Sequence, residues 1–125
     1  MANILLIEDD EPLRKVLAIT LAKAGHTVVQ AGDGNEGLHK FHHAPPDLVI
    51  TDIVMPGKEG IETNMALRKE SPRLPIIAIS GAANYSPMYL AMAAKLGAQR
   101  ILSKPFTGAD LLRAIGAVLP APSAC

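Results

Sequence analysis

The stretch Pro46-Asp47-Leu48-Val49-Ile50-Thr51-Asp52-Ile53-Val54-Met55-Pro56-Gly57 is an apolar run that climbs to a single carboxylate and then breaks into a turn. Pro45 and Pro46 open it and Pro56-Gly57 closes it, which leaves too few residues for a helix. Val and Ile at its centre favour a pleated strand buried on both faces. Asp52 therefore stands where a buried strand runs out into a loop. An acid in such a place ordinarily does no more than solvate a turn, so its meaning depends on what the rest of the chain brings to it.

Working outward, Ile4 to Ile7 is a second continuous apolar run, and it stops at three acids, Glu8, Asp9 and Asp10. Pro12 suits the first turn of a helix, for which Leu13, Val16, Leu17, Thr20, Leu21 and Ala24 are predicted as the inward stripe and Gly25 as the stop. Thr27 to Ala31 reads as a short strand. Asp33 and Glu36 can form a capping box for a helix carrying Leu38 and Phe41. Beyond the central strand, a helix is predicted near Lys58 to Glu70, ending before Pro72. Ile76 to Ile79 is a further buried strand that ends at Ser80-Gly81, and a helix follows from Pro87 to Gly97. Arg100 to Leu102 is a fifth strand, which leads into Ser103-Lys104-Pro105. Thr107 and Asp110 can cap a last helix that turns Leu111, Ile115, Val118 and Leu119 inward. Residues 1–120 are expected to form one domain and residues 121–125 a tail.

Strand and helix thus alternate five times, the pattern of an α/β fold with a parallel sheet and helices on both faces. Parallel strands share one C-terminal edge, where ligands of such folds sit. The first strand delivers Glu8, Asp9 and Asp10 there, the third Asp52, the fourth Ser80 and the fifth Lys104.

Composition narrows the field. A chain of 125 residues with 49% hydrophobic residues can bury a core without disulfides or metals. Twelve basic residues balance twelve acidic ones, which argues against a general nucleic-acid or anionic-membrane surface. The single cysteine, Cys125, cannot form an internal disulfide, and the chain reads as cytoplasmic. Met1 is followed almost at once by a strand rather than by a signal peptide, and no apolar run approaches the roughly 20 residues that span a bilayer. His39 and His43 are four apart on a predicted helix with His42 beside them, but no companion ligand supports zinc and a solvated face is the better reading. Nucleotide-binding glycine loops are absent from the sequence.

Carboxylates gathered at one edge repel one another, so something positive must neutralise them or one must hold a proton. A hard divalent cation such as Mg2+ serves, because it prefers oxygen ligands and keeps several waters. A cation among carboxylates with one Lys suits a phosphoryl group: the cation and Lys104 would stabilise its charge, and Ser80 would donate a hydrogen bond. Asp52 is then the nucleophile, since carboxylates form aspartyl phosphates.

Four stretches in order, Ile4-Leu-Leu-Ile-Glu-Asp-Asp-Glu-Pro-Leu-Arg14, Asp47-Leu-Val-Ile-Thr-Asp-Ile-Val-Met-Pro-Gly57, Pro75-Ile-Ile-Ala-Ile-Ser-Gly-Ala82 and Leu102-Ser-Lys-Pro-Phe106, make the chain resemble a response-regulator receiver domain of bacterial two-component signalling, of the chemotaxis-regulator kind. The resemblance implies a flavodoxin-like doubly wound sheet of order 2-1-3-4-5. It implies that Asp52 accepts a phosphoryl group from the phosphohistidine of a histidine kinase or histidine phosphotransfer protein, with Mg2+ as cofactor. Asp9 matches the direct metal ligand, Glu8 its neighbour acting through water, and Asp52 and the Val54 backbone carbonyl complete the protein ligands. Lys104 matches the phosphate-pairing lysine and Ser80 the hydroxyl that moves toward the phosphoryl group. Asp10 is expected to cap a helix rather than bind metal, and Lys104-Pro105 to be a cis bond as in the family. The domain is expected to phosphorylate and dephosphorylate itself but not to turn over external substrates. A downstream protein target is implied, with no direct nucleic acid and no membrane, and a monomer or weak dimer. One departure concerns output: the usual aromatic three residues before the lysine is here Ile101. Two rival readings remain. One is a receiver-like interaction module that is never phosphorylated. The other is an aspartyl-phosphate phosphohydrolase, which needs an acid two residues after the nucleophile, where this chain has Val54.

Overall fold

The structure is a computed structural model that describes residues 2–52, 66–80, 98–103 and 106–119. Five strands, β1 (Asn3–Ile7), β2 (Thr27–Ala31), β3 (Leu48–Asp52), β4 (Ile76–Ser80) and β5 (Arg100–Ser103), form one sheet in the order β2-β1-β3-β4-β5. Every neighbouring pair is parallel. The described helices are α1 (Glu11–Lys23), α2 (Gly34–His43) and α3 (Gly108–Val118), with a further helical stretch at 66–70. This is the doubly wound sheet, in the strand order that the resemblance implies. The predicted helix from Pro87 to Gly97 and the cis bond at Lys104-Pro105 lie outside the described residues, as does most of the helix predicted near Lys58.

Strand pleating splits the apolar residues between two layers. Ile4, Leu6, Leu48, Ile50, Ile77 and Ile79 pack with Leu17 and Leu21 of α1 and Leu111 and Ile115 of α3. On the other face Leu5, Ile7, Val49 and Ile76 pack with Phe41 of α2 and with Leu67. Each buried Leu or Ile contributes about 1.5–3 kcal/mol, which is why the central strands are uninterrupted apolar runs.

A strand buried on both faces has a register problem, because a one-residue slip exchanges one apolar side chain for another instead of exposing it. Polar pins at the strand ends supply the missing specification. The Asn3 N–H donates to Asp47 Oδ2 at 2.8 Å, and the Asp47 N–H donates to the Asn3 carbonyl at 2.7 Å, which fixes β1 against β3. The Thr27 N–H donates to the Ala2 carbonyl at 2.9 Å and the Glu8 N–H to the Ala31 carbonyl at 3.0 Å, which fixes β1 against β2 at both ends. The resulting register sets Ile7 opposite Thr51, and so brings Glu8 level with Asp52.

Local signals set the helix ends. Asp10 caps α1, its Oδ1 accepting from the Leu13 N–H at 3.1 Å, so it caps rather than joins the acidic group beside it. At the other end the His26 N–H bonds to the Leu21 carbonyl and the Gly25 N–H to the Ala22 carbonyl, a Schellman closure that requires the positive φ of 96° found at Gly25. The inward face of α1 differs from the predicted stripe. Leu17, Ala18 and Leu21 are buried, whereas Val16 is 59% exposed and Ala24 also faces solvent. Val16 has the helical spacing but lies outside the arc that meets the core, whereas Ala18 lies within it. At α2, Asp33 Oδ1 accepts from the Glu36 N–H at 2.8 Å, but the Glu36 carboxylate bonds the Gly32 N–H instead of the cap's own. Half of the predicted box is therefore present, and the other half is displaced by one residue to Gly32.

The box at α3 is complete: Thr107 Oγ1 accepts from the Asp110 N–H, and Asp110 Oδ2 from the Thr107 N–H, both at 3.0 Å. The Thr107 N–H, and then its hydroxyl, hold the Asp110 carboxyl below the usual carboxylate range. A depressed pKa means that the contribution is present at neutral pH and is lost as pH falls below that range. Thr107→Ala is expected to cost about 1 kcal/mol at neutral pH, with a smaller difference in strong acid, as read from urea midpoints at the two conditions. A difference that grows on acidification would contradict this.

Two glycines in helices give opposite expectations for the same substitution. A Cβ at Gly37 in α2 would sit 2.6 Å from Ile7 Cδ1 and 2.9 Å from its Cγ1, whereas one at Gly116 in α3 would meet nothing within 4 Å. Ala gains about 1 kcal/mol over Gly in a helix, but overpacking a core contact costs about 1–3 kcal/mol. Gly116→Ala is therefore expected to raise the urea midpoint and Gly37→Ala to lower it. Shifts of the same sign would show that α2 moves freely away from β1.

Candidate functional site

The acidic group is assembled by two strand ends. Glu8 follows β1 and Asp52 ends β3, and the register of those neighbouring strands places the residues side by side. Glu8 is 0% exposed and Asp52 4%, while Asp9 faces solvent. One oxygen from each of Glu8, Asp9 and Asp52 can be chosen so that all three lie within 4.8 Å of one another. Below them the Thr51 hydroxyl, also buried, donates to the Asp52 carbonyl at 3.3 Å and steadies the strand end.

This donor set tests the metal reading directly. All three groups are carboxylates, hard oxygen donors that suit Mg2+ and not a thiophilic ion. Among the described residues no other group of three or more acidic, His or Cys side chains comes together in this way. At 4.8 Å, the outer limit of the separation of these oxygens, two unit charges repel by roughly 3 kcal/mol at an effective dielectric near 20, before any neighbouring positive group is counted. The one exposed member, Asp9, opens the cluster to solvent. Residues and geometry therefore fit a divalent cation.

Three of the residues read from sequence, Glu8, Asp9 and Asp52, are thus brought together. Ser80 ends β4 on the same edge, one residue beyond the Asp52–Ile79 pairing and opposite Ser103 of β5; its side chain lies outside the described residues, as do Lys104 and Val54. Ser103, the residue before Lys104, ends β5 at that edge. Ile101, at the position where an aromatic was expected, is half-buried on β5 and packs against Ala78. His39 and His43 are exposed on α2, in keeping with a solvated face, and His42 Nε2 lies 2.7 Å from Glu70 Oε2.

Sequence reasoning assigned no role to Thr51, Arg14 or Gln30, which lie toward this edge, or to Asp47, which pins β3 against β1 from the opposite end. Arg14 Nη1 donates to the Glu8 carbonyl at 2.9 Å and its Nε to Gln30 Oε1 at 3.3 Å. A long cation on the first turn of the helix that follows an acidic loop was the available signal, because helical side chains lean back toward the N-terminus.

The family model of the response regulator receiver domain matches residues 4–116. The chain belongs to that family. Among curated relatives the receiver is 36% identical over 117 residues to a probable transcriptional regulator, ycf27, of Guillardia theta, covering 94% of this chain and 45% of that protein. It is 34% identical to the transcriptional regulatory protein AfsQ1 of Streptomyces coelicolor, covering 95% of this chain and 52% of the relative. The chain thus spans about half the length of these relatives. Among solved structures, chemotaxis protein CheY4 of Vibrio cholerae superposes with a TM-score of 0.87 at 34% identity, covering 95% of this chain and 99% of that one. The receiver domain of NtrX from Brucella abortus gives 0.85 at 29% identity, covering 93% and 97%. Membership makes the chain a phosphorelay receiver of the two-component type, a phosphoacceptor module and not a metabolic enzyme. Among the described residues no helix is long and apolar enough to cross a membrane.

Proposed function

We propose that Asp52 is the residue that accepts the phosphoryl group. The observation that supports this most is the convergence of Asp52 with Glu8 and Asp9 at one sheet edge, one oxygen from each lying within 4.8 Å of the other two. A carboxylate oxygen of Asp52 attacks the phosphorus of a phosphohistidine on a histidine kinase or phosphotransfer protein. The new P–O bond forms as the P–N bond breaks, and the imidazole nitrogen keeps the electron pair. Asp9, Glu8 through water, Asp52 and the Val54 carbonyl are the groups that would hold Mg2+. When bound, the ion offsets carboxylate repulsion and the charge on the transferring group. Lys104 pairs with the phosphoryl oxygens and Ser80 donates a hydrogen bond to them. With a small phosphodonor in place of the kinase, the same residues carry out self-phosphorylation, and water at the same phosphorus returns Asp52 to its free state.

The phosphorylated state signals by shifting a conformational equilibrium toward a form that a downstream protein binds. The groove between β5 and α3, lined by Arg100, Leu102, Phe106, Arg113, Ala114 and Ala117, is a surface suited to such a partner. Ile101, which packs against Ala78 and not in this groove, cannot act as an aromatic rotamer switch. We place the receiver at residues 1–120 with a tail at 121–125, working in the cytoplasm as a monomer or weak dimer, without direct contact to nucleic acid or membrane.

Incubation with a small phosphodonor and Mg2+, followed by intact-mass measurement, tests the reading. One added phosphoryl group that requires the metal supports it. An unchanged mass with both a small donor and a panel of phosphorylated histidine kinases would leave a binding module that is not phosphorylated. Steady release of phosphate from external phosphoesters would point to a hydrolase.

A further inference from the structure

We infer that Arg14 is a positioning residue for the acidic pocket: its guanidinium fastens the Glu8 peptide and thereby sets the Glu8 and Asp9 carboxylates for a divalent cation. This rests on the reading of Glu8, Asp9 and Asp52 as a cation site.

The Arg14 N–H closes the first turn of α1 on the Asp10 carbonyl at 2.8 Å, so its side chain starts from a fixed point. It reaches back over its own loop and donates from Nη1 to the Glu8 carbonyl at 2.9 Å. The N–H of Glu8 is already held by the Ala31 carbonyl at 3.0 Å. Both polar groups of the Glu8 backbone are therefore tied, one to β2 and one to α1, at the residue where β1 gives way to the acidic loop. The guanidinium is in turn aimed by Gln30, whose Oε1 accepts from Nε at 3.3 Å. Two donors at a fixed angle on a planar group make this a geometric clamp that an ammonium cannot reproduce.

The surroundings leave little freedom. A Cβ at Gly32 would lie 3.1 Å from Nη1, so the glycine provides the room that the guanidinium occupies. The Gly32 N–H donates to Glu36 Oε2 at 3.3 Å, and Lys40 joins Glu36 Oε1 at 2.7 Å while also donating to the Gln30 carbonyl. The clamp is thus anchored to β2 and α2 as well as to α1. Groups that orient metal ligands without touching the metal are typically worth 10–100-fold in affinity.

Geometry and charge predict opposite signs here, which makes the inference testable. A nearby positive charge opposes cation binding, so if Arg14 acted only through its charge, removing it would tighten binding. If it positions the loop, removing it weakens binding. Titration of Mg2+ by calorimetry and of Mn2+ by electron paramagnetic resonance, on the full chain, reads this without phosphoryl transfer. Arg14→Met is expected to weaken both about tenfold, Gln30→Leu to weaken them severalfold, and Arg14→Lys to restore only part of the loss, with thermal melts reporting that each variant folds. Tighter or unchanged binding in Arg14→Met, or full affinity in Arg14→Lys, overturns the inference. Should the Met variant not fold, unchanged affinity in both Gln30→Leu and Arg14→Lys overturns it equally. Asp9→Asn is the control: if wild-type protein shows no cation binding that this change removes, the site reading itself fails and the role of Arg14 falls with it.

Discussion

Asp52→Asn is expected to abolish phosphoryl uptake entirely. Asparagine fills the same space at the end of β3 and keeps one oxygen, but an amide oxygen does not attack phosphorus at neutral pH and the residue cannot form an acyl phosphate. Wild-type protein given a phosphodonor and Mg2+ should gain one phosphoryl group, and the Asn variant none. The chemistry of the label adds a second check. An acyl phosphate is discharged in mild alkali, whereas phosphate on His39, His42 or His43 of α2 would survive alkali and be lost in acid. Ser80→Ala and Lys104→Met belong to a different class, since these groups would only stabilise developing charge. Each is expected to slow uptake by on the order of a hundredfold without preventing it. If the Asn variant were labelled as fast as wild type, Asp52 would not be the acceptor, whatever its position in the sheet.

The edge at which this chemistry sits was legible because parallel topology is simple. Once Ile4–Ile7 and Leu48–Thr51 are read as buried strands that run the same way, the residues leaving them must share an edge, and Glu8, Asp9 and Asp52 do. Pattern could not show how closely they would meet. That depends on register, and register in strands buried on both faces is written in polar pins such as Asp47 to Asn3, which carry no hydrophobic period. The same blindness hid Arg14 and Gln30. Their partners are a backbone carbonyl and each other, across a sequence gap of 16 residues, so the one cue, a long cation on the first turn of α1, named neither partner. Val16 failed for a different reason. Helical periodicity locates a stripe but not its edges, and whether a marginal position is covered depends on the breadth of the surface it faces. The capping signals did better at α3 than at α2, because the cation beside Asp110, Arg113, stays 3.8 Å away, whereas Glu36 had Gly32 and Lys40 within hydrogen-bond reach.

The same Asp52→Asn change carries a second large expectation, and its sign depends on the metal. Without a divalent cation the variant should be more stable than wild type. Glu8 and Asp52 are buried carboxylates, Asp9 is exposed beside them, and their oxygens lie within 4.8 Å of one another. Removing one charge relieves two repulsive pairs. The buried Glu8–Asp52 pair is worth roughly 3 kcal/mol at an effective dielectric near 20, and the pair that includes Asp9 is worth less because water screens it. A net gain smaller than the sum of these two repulsions is expected for the variant in a chelator. Mg2+ acts oppositely on the two proteins. It binds the folded wild type alone, and at a hundred times its dissociation constant it adds about 2.7 kcal/mol. The variant, with one ligand oxygen neutral, should gain far less. Urea unfolding in chelator and in saturating Mg2+ should therefore show the variant ahead in the first condition and its lead erased or reversed in the second. A wild-type protein already more stable than the variant in chelator would mean that the three carboxylates are compensated from within the protein. The cation would then have no repulsion to relieve, and the physical reason for placing it there would be gone.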